Sequence, residues 1–187
     1  MKKPKSSSIC SKFEFIIIVL FISAVIFVSV FYGAAYPRKY RNEVESQSAK
    51  FSVSPYLVYA MIKTESGFNA EAKSDKNATG LMQLLPSTAE YISDTVFDGE
   101  EIDLLNPADN IKCGVAYFAY LKEKFEAVGL ALAAYNAGEG NVAKWLSDGR
   151  YSTDGKELDY IPFAETREYV DKVLKRERVY KFLYQAA

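Results

Sequence analysis

The sequence predicts a mainly α-helical protein, with one apolar helix long enough to cross a membrane followed by a helical globular domain. Three observations carry this. Residues 15–35 contain no charged side chain. From Ser54 onward apolar residues recur at three- and four-residue spacing, and no convincing alternating run marks a strand. Ser54-Pro55 and Asn106-Pro107 each set a capping residue before a proline, which suits a helix start because the first turn leaves that amide unpaired anyway.

Composition sets the outer limits. The 187 residues are 49% hydrophobic, enough for one globular core plus an appendage. The net charge is -1, with no basic cluster and no zinc-type spacing, so nucleic acid is not an expected partner. Histidine is absent. That removes the usual catalytic triads, histidine-containing metal sites and the commonest general base, leaving acid–base work to carboxylates, Lys, Tyr or Cys. Neither a metal nor a cofactor is expected.

Along the chain, residues 1–14 read as a short cytoplasmic N-terminus and 15–35 as a transmembrane signal-anchor. At a helical rise the uncharged run reaches about 27 to 31 Å, close to the hydrocarbon thickness. Lys2, Lys3, Lys5 and Lys12 precede it, against Arg38, Lys39 and Arg41 with Glu43 and Glu45 after it. This bias places the N-terminus inside and the following domain on the extracytoplasmic side of the cell membrane, in a single pass. Gly33-Ala34-Ala35 resembles a cleavage site, but the apolar region is longer than a signal peptide's, so an uncleaved anchor is expected. Cys10 then lies on the opposite side from Cys113, so no intrachain disulfide is expected. Cys10 reads as a free cytoplasmic thiol and Cys113 as a small core residue.

Residues 36–51 read as a polar connector, helical in part, and 52–187 as the globular domain. Helices are expected from Ser54, from the Ser87-to-Glu90 capping box, from Asn106-Pro107 to a stop before Gly129, over Leu130–Ala137, over Asn141–Leu146, and over about Thr166–Tyr184. Gly138 and Gly140 are expected to end the fourth of these. Residues 147–162 read as a loop or small hairpin. The Lys and Arg run of the last helix is expected to face solvent.

Glu65 stands out because of where the first domain helix places it. Val58, Met61, Ile62 and Glu65 fall on one stripe at i, i+3, i+4, i+7, so the carboxyl continues the face that turns toward the core. Gly67 follows as a cap that stops the helix. Burial and the negative end of the helix dipole both disfavour the carboxylate, which predicts a raised pKa and suits a general acid.

Specific resemblance appears at four places in a fixed order. Glu65-Ser66-Gly67-Phe68-Asn69, Gly80-Leu81-Met82-Gln83 and Ala134-Tyr135-Asn136-Ala137-Gly138 resemble three motifs of the soluble-type lytic transglycosylases, glycoside hydrolase family 23. Residues 161–170, Ile161 to Val170, are a looser fourth match in which Phe163 stands where many relatives have tyrosine. The resemblance covers about residues 52–184. It implies a lysozyme-like helical domain, similar also to goose-type lysozyme. The activity it implies is cleavage of the β-1,4 bond between N-acetylmuramic acid and N-acetylglucosamine in peptidoglycan, leaving a 1,6-anhydromuramoyl end.

Carried over by position, Glu65 is the catalytic acid and base, and Ser74, Gln83, Tyr135, Asn136, Glu165 and Tyr169 are substrate-binding. Leu81 and Met82 are expected in the core, and Gly80 and Gly138 are expected for backbone geometry. The peptidoglycan glycan strand is the expected partner, with envelope-assembly proteins as possible others. Two alternatives stay open: a hydrolytic muramidase, needing a second carboxylate for which Glu71, Asp75 and Glu165 are candidates, and a non-catalytic peptidoglycan-binding module.

Overall fold

A computed structural model describes residues 6–185, with side chains described from residue 14. Lys2, Lys3 and Lys5, and the side chains of Cys10 and Lys12, on which the orientation and thiol readings rest, lie outside that description. The chain divides into two compact units, residues 1–37 and 38–187. The first consists of α1 (Ser6–Ala35). Its stretch Glu14–Ala35 is long and apolar enough to cross a membrane and is exposed along its length. Phe15, Phe21 and Phe27 each show more than 65% of their surface.

The second unit is built from α2 (Arg41–Lys50), α3 (Pro55–Glu65), α4 (Pro86–Val96), α5 (Pro107–Phe125), α6 (Val128–Ala137), α7 (Glu139–Leu146) and α8 (Ala164–Tyr184), with no strand among the described residues. Segment α6 is the buried centre. Ala131, Leu132, Ala133 and Ala134 are fully enclosed, and α5, α7 and α8 all pack against the helix. Its small side chains allow close approach from every side, which is why a nearly uniform apolar segment folds as a helix here. The pairing of α3 with α8 is the most extensive in the unit. Tyr59 stacks on Tyr180 with centroids 5.4 Å apart.

Several local expectations are corrected. Ser54 and Ser87 form no side-chain caps: α3 and α4 start on Pro55 and Pro86 with the preceding residue uncapped. Asn106 does cap α5, accepting from the amides of Ala108 and Asp109. Helix α5 does stop before Gly129, at Phe125, but α6 begins at Val128 rather than Leu130 and takes Gly129 in, and Gly140 lies inside α7. Gly138 alone separates those two helices, at φ 86°. The segment read as a connector contains α2, which packs on α3 and α5 and buries Val44 and Ser48; it belongs to the second unit rather than to a linker. The cationic run of α8 is not wholly solvent-facing. Arg176 turns inward and donates to the Lys63 carbonyl at 3.1 Å and to Thr64 Oγ1 at 2.8 Å. There it meets orphan carbonyls and the negative dipole at the end of α3.

Candidate active site

The residues 66–83 after α3 form an irregular segment whose path is fixed by side chains reaching in from distant elements. Ser66 Oγ donates to the Leu81 carbonyl at 2.8 Å. Asn110 of α5 is fully buried. Its Oδ1 accepts from the Met82 amide at 2.8 Å, and its Nδ2 donates to the carbonyls of Thr79 and Leu104. The Tyr135 hydroxyl of α6 donates to the Met82 carbonyl at 2.9 Å. Both backbone groups of Met82 are thereby held by side chains, which satisfies buried polar groups in a stretch with no regular structure. Leu81 and Met82 themselves are fully buried, and Gly80 sits at φ 81° against Asn110 and Leu104.

This clamped segment forms one wall of a cleft of about 330 Å³. Glu65, Ser74, Gln83, Tyr135, Asn136 and Glu165 all line it, together with Asp75, Lys76, Ala78 and Leu85. Glu65 is the last residue of α3 and half-buried. Its carboxyl is pushed up to about 7, chiefly by loss of water and secondarily by the charge of Glu165, while the Tyr169 hydroxyl pulls it down. Burial and the neighbouring Glu65 hold the Tyr169 hydroxyl far above the ordinary phenol range, so it stays a donor. That hydroxyl is buried without a partner in full hydrogen-bond geometry. The contact with Glu65 is therefore a polar approach rather than a formed bond, and it leaves the acid's proton available.

The amides are more constrained than their motifs indicate. Gln83 adopts φ 47°, and its Nε2 donates to the carbonyls of Ala72 at 3.1 Å and Gly80 at 3.0 Å. Its Oε1 is left as an acceptor. Asn136 is oriented the other way: Oδ1 accepts from Thr166 Oγ1 at 2.7 Å, leaving Nδ2 as donor. Tyr135 lines the cleft with its hydroxyl engaged on Met82 and its ring against Tyr117, centroids 5.3 Å apart. Ser74 Oγ accepts from the Ala78 amide at 3.1 Å and retains its own proton for donation.

Of the residues carried over by position, Tyr169 is the one that does not open onto the cleft. It is 6% exposed and stands behind Glu65. Among the muramidase candidates, Asp75 and Glu165 line the cleft and Glu71 does not. Three supporting residues, Asn110, Thr166 and Arg176, have no signal in local periodicity, since each acts on a residue remote in sequence. A larger hollow of about 550 Å³ lies near Lys50, Phe51, Tyr120 and Lys122. Its one carboxyl, Glu123, is exposed and belongs to none of the four motifs, so the smaller cleft is the better candidate for chemistry.

An all-helical unit that opens a cleft around one half-buried glutamate defines a lysozyme-like domain. The chain belongs to the Transglycosylase SLT domain family, whose profile matches residues 42–158. Glu65, Ser74, Gln83, Tyr135 and Asn136 fall inside that match, whereas Glu165 and Tyr169 lie beyond it. The soluble lytic murein transglycosylase of Salmonella typhimurium is 34% identical over 78% of this chain and 23% of its own. A membrane-bound lytic murein transglycosylase C of Actinobacillus pleuropneumoniae is 29% identical over 76% of this chain and 46% of its own. In three dimensions, an inactive mutant of lytic transglycosylase Slt from Pseudomonas aeruginosa superposes with a TM-score of 0.70 at 32% identity. That match covers 82% of this chain and 26% of the other. The chain thus spans about a quarter of the length of the soluble relatives it matches.

Proposed function

We propose that this chain is a membrane-anchored peptidoglycan lytic transglycosylase in which Glu65 serves in turn as acid and base. The observation that carries this reading is the isolation of Glu65: it is the cleft carboxyl held near neutrality, whereas Glu165 and Asp75 are exposed. A protonated Glu65 gives its proton to the bridging glycosidic oxygen as the bond to C1 of N-acetylmuramic acid breaks. The substrate's N-acetyl oxygen supports the positive charge at C1. The resulting Glu65 carboxylate then takes the proton from the sugar's own C6 hydroxyl, whose oxygen closes on C1. The 1,6-anhydro ring forms, Glu65 is protonated again, and no water is consumed. An internal nucleophile has a large effective concentration, which favours this route over attack by bulk water.

The remaining groups divide the work of orientation. Asn136 Nδ2 donates and Gln83 Oε1 accepts, a complementary pair for an N-acetyl group or ring hydroxyls. Ser74 supplies a further donor. Tyr169 faces Glu65 as a donor, and Glu165 adds a smaller push to a pKa raised mainly by burial. Residues 14–35 anchor the chain in a membrane, with the lytic domain on the extracytoplasmic side.

The test is the chemistry of the product ends. Digestion of purified peptidoglycan followed by mass spectrometry is expected to give muropeptides lighter by one water, with anhydromuramoyl termini, and E65Q is expected to give none. Reducing muramic acid ends would instead assign a muramidase, with Glu165 or Asp75 activating water. Glycan binding without cleavage would assign a non-catalytic module.

A further inference from the structure

Helix α8 has chemically different ends. Its first turn carries Glu165 at the cleft, and Phe163, just ahead of the helix, packs edge-on against Trp145 at 4.9 Å. Its last turn carries Phe182, which is 85% exposed. No other large apolar side chain described between residues 38 and 185 is more than 55% exposed. A single exposed phenylalanine says little by itself. Its position says more.

The Tyr184 ring, two residues on, lies under Arg38, with the guanidinium carbon 4.1 Å from the ring centroid. The Tyr184 carbonyl also accepts from the Tyr56 hydroxyl at 3.2 Å. Arg38 follows Ala35, the last residue of the apolar helix, by three positions, a reach of at most about 10 Å for an extended chain. Phe182 and Arg38, where the chain enters the domain, are therefore at the same end of α8. Arg178 and Lys39 are exposed there, beside Lys181 in its ion pair with Glu177. Aromatic rings with Lys and Arg around them suit the headgroup layer, where an apolar body and a polar or charged tip are both accommodated.

We propose that the Phe182 end of α8 rests on the lipid headgroup surface, with the phenylalanine ring inserted and Arg38, Lys39 and Arg178 meeting anionic headgroups. This rests on reading residues 14–35 as a membrane span. Glu165 and Phe182 are 17 residues apart on one helix, roughly 26 Å at the helical rise. Docking by one end makes α8 a spacer that holds the cleft no farther than this above the headgroups. The substrate so selected is glycan lying close against the membrane.

The test uses the full chain in vesicles of mixed zwitterionic and anionic phospholipid, with or without bromine on the upper acyl chains. Trp145 is the sole tryptophan of the sequence and serves as the internal reference. F182W is expected to add emission that brominated lipid quenches, while the emission of the unsubstituted chain is unchanged between the two vesicle types. Unquenched added emission from protein that resists an alkaline carbonate wash would overturn the docking and leave the span standing. Quenching of Trp145 would overturn it too, by placing the cleft end on the lipid. Loss of the chain in the wash would overturn the span and the docking together.

Discussion

Thr166 holds Asn136 by a 2.7 Å hydrogen bond from its hydroxyl to Oδ1, and Thr166 is only 2% exposed. Because Thr166 is buried beneath the amide, it fixes which end of Asn136 reaches the cleft while having no access to substrate. T166V keeps the volume but removes the donor, leaving a partly buried carbonyl oxygen unpaired and free to rotate into the site. The expected result is a loss of about tenfold in kcat/KM, the size of one net hydrogen bond, with a modest drop in stability. T166S restores the donor and is expected to recover most of the activity. Turnover of purified glycan strands by the three proteins, alongside their thermal melts, checks this.

The raised pKa of Glu65 makes its contribution to stability and its capacity as an acid decline together as pH rises. Its folded value of about 7 lies above the ordinary carboxyl value of 4.5. The folded state therefore holds its proton over a range where the unfolded state has lost it. The associated stability is fully present below about pH 4.5 and declines as pH rises toward 7, where it levels off. E65Q removes the titration. It is expected to be no less stable than the native chain at pH 4 and more stable at pH 8. The margin at pH 8 is on the order of 1–2 kcal/mol, smaller than the full shift implies because the carboxyl still touches cleft solvent. On the proposed mechanism cleavage draws on the protonated acid, so it is expected to fall as pH rises through about 7, and E165Q is expected to move that limb to lower pH by removing a neighbouring negative charge. Denaturation at the two pH values and a pH–rate profile test both halves.

What the sequence made legible was whatever depends on local spacing. Glu65 was readable because a proline-marked helix start and a three-turn stripe put it at the cleft end of α3. The motif residues Gln83 and Asn136 could be placed in the cleft by resemblance, but not their opposite hydrogen-bonding polarity. That polarity depends on Ala72 and Gly80 in one case and on Thr166, 30 residues away, in the other. The contact between Asn110 and Met82 is hidden for the same reason. Helix α2 was legible only as part of a connector, because a serine, Ser48, occupies the core position one turn after Val44 and breaks the apolar pattern that would have marked its packing. Gly140 looks like a stop, but packing around α7 outweighs its weak helix propensity.

Gly80 lies within the clamped segment and Gly114 packs against it at Met82, yet the two are expected to differ sharply when substituted. A Cβ on Gly80 would lie inside the contact distance of Asn110 Nδ2 and the Leu104 carbonyl, at a backbone φ of 81°. G80A must break the buried Asn110 bonds as well as strain the chain, and is expected to cost about 4 kcal/mol or more and to abolish cleavage. At Gly114 the backbone is helical and the obstacle is the Met82 side chain, with Sδ 2.5 Å from the added carbon. A thioether can shift rotamer, so G114A is expected to cost about 1–3 kcal/mol and retain measurable activity. Urea titrations of both variants separate the two outcomes.

Arg176 ties the end of the helix that carries Glu65 to α8, bonding the Lys63 carbonyl and the Thr64 hydroxyl just before the Glu65 carboxyl. Those are charge-assisted bonds at a helix C-terminus, where the positive charge also opposes the dipole. R176M preserves the apolar stem but releases both acceptors. The expected loss of stability is about 1–3 kcal/mol. Because the freed turn is the one that aims Glu65 between Tyr169 and the cleft, the effect on catalysis should exceed what reduced folding accounts for, appearing in kcat more than in KM. R176K keeps the charge but lacks the planar fork, and is expected to recover stability better than turnover. Steady-state kinetics at a temperature where all three proteins remain fully folded decides whether Arg176 positions the acid or merely braces the fold.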